Sequence, residues 1–276
     1  MSDVGLMIHR IEPGSKVDLR DIDPRKTPGL SGSKEDERAE AERLHGENIE
    51  AMKLLQYRLW AEQKQSLLVV LQGMDTSGKD GTIRHVFGPL NPQGVRTHGF
   101  KKPTPRELRH DFLWRVHKHT PMAGRIAVFN RSHYEDVLAV RVLQLIPEAQ
   151  WRLRYGHIND FEKLLTESGT RVIKIMLHIS KDEQKERLQA RLDQPEKRWK
   201  FERGDLSTRE LWDDYRAAYE EAIERCSTED SPWHVVPADR KWYRNWAIST
   251  IVRANLEQMD PRTPPPESDL DGLVIE

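Results

Sequence analysis

Gly73-Met74-Asp75-Thr76-Ser77-Gly78-Lys79-Asp80-Gly81 follows directly on the apolar run Ser66 to Leu71. The spacing G-x-x-x-x-G-K is that of a loop that wraps phosphate oxygens where a β-strand ends and a helix begins. Successive backbone N–H groups face the oxygens, a lysine reaches the outer phosphates, and the helix N-terminus adds its positive dipole. Gly73, Met74, Thr76, Ser77, Gly78, Asp80 and Gly81 are therefore candidate phosphate contacts, with Lys79 as the phosphate lysine. Ile83, Val86 and Phe87 continue at the spacing of a helix face that packs on a sheet. A plain glycine turn between strand and helix is the competing reading.

Two carboxylates set this loop apart. Asp80 stands where Ser or Thr usually follows the lysine as a magnesium ligand, and Asp75 lies inside the loop itself. Fixed negative charges at that range repel a polyanion unless a divalent cation lies between them. Asp75 thus reads as a residue on the Mg²⁺ side, binding directly or through water. Either aspartate could instead cap the helix that follows.

The rest of the composition narrows the setting. The chain has 276 residues, long enough to bury a substantial core, and shows no repeats or low-complexity tracts. Charged residues make up 32% at a net charge of −1, which argues against binding nucleic acid or membrane by overall charge. Basic residues are nevertheless concentrated between Gly94 and Arg125, where Arg96, Lys101, Lys102, Arg106, Arg109, Arg115 and Lys118 face only Glu107 and Asp111. That zone suits a polyanion, or is a solvated helix face. Cys226 is the single cysteine, so there is no intrachain disulfide, and a reducing compartment is expected. Without an apolar run of membrane-spanning length or a signal-peptide core, the expected location is the cytoplasm.

Residues 1–30 read as an irregular arm, and Ser33 caps a helix expected to run to about Glu62. Apolar, β-rich runs then recur at Leu67 to Leu71, Val95 to Phe100, Ile126 to Phe129, Val172 to Ile179 and His234 to Val236, each followed by a helical segment. Capping-box spacing at Thr104–Glu107, Ser132–Glu135, Ser180–Glu183 and Ser207–Glu210 marks expected helix starts. Alternating strands and helices predict an α/β fold, a parallel sheet covered by helices with its ligand beyond the strand C-termini. The Pro-rich, acidic C-terminus reads as an extended segment that Val274 and Ile275 could dock.

Two further stations fall at strand ends. In Phe129-Asn130-Arg131-Ser132-His133-Tyr134-Glu135-Asp136, Arg131 can clamp a transferring phosphoryl group. Glu135 could orient metal or water there, or serve as the capping-box partner of Ser132, while His133 reads as a packing residue. The second station begins on a helix with Arg187 and Arg191 one turn apart, and continues past Pro195 through Lys197, Trp199 and Lys200. It reads as a lid that brings cations over reacting phosphates and excludes water, or as a basic helix end.

These motifs, in this order and spacing, closely resemble the polyphosphate kinase 2 family. The resemblance spans roughly Lys53 to Met259 and includes Asp193-Gln194-Pro195-Glu196-Lys197-Arg198-Trp199-Lys200-Phe201 and Ala238-Asp239-Arg240-Lys241-Trp242-Tyr243. It implies a P-loop kinase fold and Mg²⁺-dependent, reversible transfer between inorganic polyphosphate and purine nucleotides by a homo-oligomer. It places Gly73 to Gly81 as the Walker A loop, Asn130 and Arg131 at the Walker B site, and Arg187, Arg191, Lys197 and Lys200 in the lid. Many members carry Asp at the position of Asn130 and Asn at that of Glu135. The version here resembles the class III branch, which implies that both AMP and ADP are acceptors. A neutral amide at position 130 binds Mg²⁺ more weakly than a carboxylate, which counts against a metal role there.

The implied organisation is an N-terminal arm and helix over 1–62, a P-loop kinase domain over 63–260 with a lid at about 187–206, and a tail over 261–276. Two other functions fit the same loop. An ATP-dependent nucleotide kinase would differ in its donor, and a non-catalytic nucleotide-binding switch would bind without forming product.

Overall fold

A computed structural model describes residues 7, 9–201, 204–268 and 275. The strand before the phosphate loop, β2 (Ser66–Gln72), is buried at every position, which is why its sequence is a continuous apolar run rather than an alternating one. It sits at the middle of a six-stranded sheet whose other members are β1 (Arg10–Ile11), β3 (Val95–Gly99), β4 (Ile126–Asn130), β5 (Thr170–His178) and β6 (Trp233–Pro237). The spatial order is β1-β6-β5-β2-β4-β3, and all neighbours are parallel except β1. Val69 is in register with Val128 on one side and Ile173 on the other, so the C-terminal ends of β2, β4 and β5 open on one edge.

Helices cover both faces, as two buried faces require. The expected N-terminal helix is α1 (Lys34–Glu62): Ser33 Oγ accepts from Asp36 N, and the Asp36 carboxylate accepts from Ser33 N, both at 3.2 Å. The phosphate loop leads into the short α2 (Lys79–Thr82), which widens into a π-turn over Ile83–Phe87. After the short α3 (Trp114–His117) and α4 (Ala139–Val142) come α5 (Glu148–Glu167) and α6 (Lys181–Asp193). Next are α7 (Gly204–Glu210), α8 (Trp212–Cys226) and α9 (Lys241–Met259). Asn48 of α1 donates to Ser249 and Thr250 of α9, tying those two helices to each other.

Some local expectations change. The Thr104–Glu107 pair closes a capping box, but onto a three-residue 3₁₀ turn, Glu107–Arg109, because the segment beyond it is exposed and lacks an apolar face to pack. Ser207 lies inside α7 rather than ahead of it. The arm is mostly irregular, yet Arg10 and Ile11 pair antiparallel with His234 and Trp233, a non-local pairing that two residues cannot announce. Further along, Pro24 O accepts from Asp239 N at 3.2 Å and His178 Nε2 lies 2.9 Å from Ile22 O, so the arm crosses the ends of β5 and β6. Ile275 is 92% exposed, and Val274 lies outside the described residues, as do residues 202 and 203 of the expected lid.

Candidate active site

Gly73 opens the loop at φ +147°, and a Cβ there would come within 2.7 Å of both Leu177 O and Ser77 Oγ. Only glycine fits. Thr76 and Gly78 also take positive φ, at 65° and 105°, so three turns of the backbone wrap a concave loop. Tyr219 of α8 accepts from Gly73 N at 3.0 Å and fixes the point where strand becomes loop.

Lys79 lies only 8% exposed beneath this loop. Its Nζ donates to Gly73 O at 2.6 Å and Met74 O at 3.2 Å, stowed on the loop's own carbonyls. Burial, reinforced by Arg131, draws its pKa down to about 8, against the pull of Asp75, Glu135 and Asp80. An incoming polyanion would restore the charge that burial disfavours.

The two unusual loop carboxylates each have a partner at the end of β4. Asp75 Oδ1 accepts from Arg131 Nη2 at 2.8 Å. Asp80 Oδ1 accepts from Asn130 Nδ2 at 2.6 Å. The departures at positions 80 and 130 are thus complementary: the carboxylate stands on the loop side and the neutral amide on the strand side. The amide engages Asp80 as a donor. Arg131 holds φ +61°, a left-handed conformation that a long side chain adopts only when its surroundings impose it.

Those surroundings are the 3₁₀ turn His133–Asp136 and its anchor. Tyr134 Oη donates to Glu162 Oε1 at 2.9 Å, and His133 Nε2 lies 3.1 Å from the same oxygen, with Lys174 donating to the other oxygen, all of them buried. His133 is thus a packing residue. Sequence reasoning missed Glu162 and Lys174 as supports, because a buried lysine in a strand shows its partner only in three dimensions.

Glu135 points to the loop. With the Gln72 amide oriented to serve both neighbours, its nitrogen donates to Glu135 Oε1 at 3.1 Å while its oxygen accepts from Ser132 N at 3.2 Å. Gln72 therefore takes the bond that a capping-box glutamate would make, and Ser132 Oγ accepts from Tyr134 N rather than from Glu135 N. Burial pushes the Glu135 carboxyl above the usual carboxylate range, opposed by Arg131 and Lys79 beside it. Asp136 is turned away, bound to Arg154 at 2.6 Å and pushed up to about 6 by burial.

Of the expected lid arginines, Arg187 is spent on the framework. Its Nε donates to Glu183, Nη1 to Thr76 O and Ser77 O, and Nη2 to Ala238 O and Asp239 O, which uses all five N–H groups. It clamps the outer wall of the loop to the end of β6. Arg191 donates to Lys200 O at 3.1 Å and so joins α6 to the 3₁₀ turn Pro195–Lys200, where Lys197 and Lys200 are exposed. Tyr215 and Tyr219, one turn apart on α8, also line the site, where burial raises both phenols and the Glu135 and Asp75 carboxylates add to the rise. The i, i+4 tyrosines of an amphipathic helix were a legible signal for them.

A family model, polyphosphate kinase 2, matches residues 33–264. The chain belongs to the polyphosphate kinase 2 family. An AMP/ADP-polyphosphate phosphotransferase of Meiothermus ruber is 50% identical over 97% of this chain and 99% of its own. An ADP-polyphosphate phosphotransferase of Rhodopseudomonas palustris is 42% identical over 93% and 92%. The crystal structure of polyphosphate kinase 2 from Arthrobacter aurescens superimposes with a TM-score of 0.92 at 45% identity, covering 97% of this chain and 94% of that one. Like other members of the polyphosphate kinase 2 family, this one is an α/β protein with helices flanking its sheet.

Proposed function

We propose that this polyphosphate kinase 2 family member transfers phosphate from inorganic polyphosphate to both AMP and ADP, reversibly and with Mg²⁺. Its relatives are named for polyphosphate-dependent transfer to nucleotides, and one is named for both acceptors. The observation that carries the reading is the juxtaposition of Lys79, Arg131, Asp75 and Glu135 at the ends of β2 and β4. Phosphoryl transfer asks for alignment and charge compensation rather than covalent catalysis, and this set supplies both signs of charge in one loop.

The donor set fits Mg²⁺, which typically takes one or two carboxylates and leaves its other positions to phosphates and water. Asp75 would hold it, with Asp80 at the neighbouring position, and no cluster of three His, Cys, Asp or Glu ligands exists among the described residues. When bound, the ion would offset charge on the phosphate oxygens. Lys79 leaves the loop carbonyls to meet the donor, and Arg131 exchanges Asp75 for a phosphate oxygen. In this reading the 63–260 kinase domain has a P-loop fold, and Lys197 and Lys200 close over the donor from the lid. The enzyme works as a cytoplasmic homo-oligomer, with α1 as a contact. Among the described residues no helix is long and apolar enough to cross a membrane.

The deciding experiment offers AMP, ADP, GMP and GDP with polyphosphate or ATP and resolves the products. Product with ATP alone would replace polyphosphate by an ATP-dependent kinase, and binding without product would make the protein a switch.

Glu135→Gln divides the acceptors. Glutamine preserves the turn, since Gln72 and Ser132 already satisfy it, but removes a charge facing Lys79 and Arg131. We expect kcat/KM to fall more for AMP than for ADP at saturating polyphosphate, because the shorter acceptor depends more on bridging groups to reach the donor. Equal losses for both, with an unchanged melting temperature, would remove Glu135 from acceptor alignment.

A further inference from the structure

The turn after β4 rests on a closed ring of buried hydrogen bonds. Glu162 of α5 is 1% exposed, and its two oxygens accept from four side chains, as many as a carboxylate's lone pairs take. Tyr134 Oη and His133 Nε2 reach Oε1, while Lys174 Nζ and Ser231 Oγ reach Oε2 at 2.5 and 3.1 Å. Lys174 also donates to Tyr134 Oη at 3.1 Å, which closes the ring, and to Cys226 O. Burial would raise the Glu162 carboxyl, but Lys174 and His133 outweigh it and hold it below the usual carboxylate range. Burial and then Glu162 push the Tyr134 phenol up, so the hydroxyl stays a donor.

Stability is a weak reason for such a ring. A buried ion pair offsets little more than its own desolvation, and apolar side chains of the same volume often serve as well or better. What the ring supplies is direction, because three separate parts of the fold meet in it. Lys174 lies in register with Val70 of β2 and Trp233 of β6. Cys226 ends α8, the helix whose Tyr219 holds Gly73 N. Tyr134 belongs to the turn itself: its N donates to Ser132 Oγ, and its O accepts from Val137 N at 3.0 Å and Leu138 N at 2.9 Å. With backbone and hydroxyl all engaged, this tyrosine cannot swing without opening the turn. His133 and Tyr134 are both drawn to Glu162, and the next residue, Glu135, is left facing Lys79 and Arg131.

We propose that Tyr134, with Lys174 and Glu162 behind it, is a positioning residue for the acceptor that sets the direction in which Glu135 faces the loop. The inference rests on Glu135 as the group that aligns the acceptor. Tyr134 touches no reacting atom and acts on transfer through its neighbour.

The experiment is a double-mutant cycle of Tyr134→Phe with Glu135→Gln, with kcat/KM measured for AMP and ADP at saturating polyphosphate. Tyr134→Phe deletes one oxygen and keeps the ring system. Its kcat/KM for AMP should fall about tenfold, and less for ADP, with donor KM within about twofold of wild type. In the Glu135→Gln background the same substitution should cost less than about twofold, because the group it acts through is already lost. A merely structural tyrosine would cost the same factor in both backgrounds, and that additivity overturns the proposal. Lys174→Met with Glu162→Gln keeps the question open to measurement if Tyr134→Phe misfolds. Lys174→Met alone strands a buried carboxylate and should melt below wild type. Adding Glu162→Gln removes that charge and keeps an oxygen for Tyr134 and His133, so the melting temperature should recover. The kcat/KM for AMP should not, because the tie from the turn to α8 stays cut. Recovery of both together would confine the pair to folding and overturn its positioning role. Equal losses for AMP and ADP in Glu135→Gln would refute the acceptor assignment alone, since coupling in the cycle still reports whether Tyr134 acts through Glu135. If polyphosphate supports no turnover in wild type, the donor reading fails by itself and the cycle is read from the melting shift that AMP induces.

Discussion

Lys79→Met should abolish phosphoryl transfer while leaving the protein folded. The ammonium is aimed at charge that matters more as the bond to the donor breaks, and losing one such group typically lowers kcat by about 10²–10³-fold. Its hydrogen bonds in the unliganded protein, to Gly73 O and Met74 O, are made under a burial penalty, so the apolar replacement need not destabilise the loop. The same lysine sets two opposite pH dependences. Its folded-state pKa is about 8 against 10.5 for an ordinary lysine, so above about pH 8 the free enzyme loses the cation and donor kcat/KM falls. Between those two values the unfolded chain binds the extra proton, so folding stability rises with pH across that window. Lys79→Met should remove that stability gain. A folded variant with near-wild-type kcat would show that Lys79 is a structural lysine only.

Asp75→Asn is expected to separate binding from catalysis. The substitution releases Arg131 from its 2.8 Å ion pair, so the guanidinium is freer for the donor and donor KM should fall or hold. Catalysis should drop by about 10²-fold, because the carboxylate that would carry Mg²⁺ is gone and ion-mediated charge compensation weakens with it. Raising the Mg²⁺ concentration should recover part of the loss, in contrast to Lys79→Met, for which it should do nothing. Steady-state kinetics over a Mg²⁺ series reads both effects. Identical kinetics to wild type at every Mg²⁺ concentration would confine Asp75 to holding Arg131.

Several of these side chains hold places in the molecule that their sequence neighbourhoods do not show. The phosphate loop was legible from nine residues because its requirements are local: glycines at positive φ, a lysine at fixed spacing, a strand before and a helix after. The buried strands were legible because a sheet covered on both faces demands continuous apolar runs, as in Ser66–Gln72 and Thr170–His178. The 29-residue helix from Lys34 to Glu62 followed from its cap and its period.

Which charge meets which was decided elsewhere. Asp80 and Asn130 stand fifty residues apart and meet because β2 and β4 are paired in register, so the compensation between them exists only in the folded sheet. Arg187 and Arg191 share a helix and a spacing, yet one is consumed by backbone carbonyls of the loop and of the end of β6, and the other reaches toward the lid turn. Glu135 sits at capping-box spacing, but Gln72 from the neighbouring strand takes that bond and leaves the carboxylate to the cations. Arg244 of α9 carries no local signal at all; only the fold buries it against two glycines more than 160 residues earlier. Sequence by itself determined the elements and the phosphate loop, because backbone conformation and burial are local and periodic demands. Tertiary structure alone decided the pairing of charges, because Coulomb energy and desolvation depend on distances that the chain sets only once it has folded.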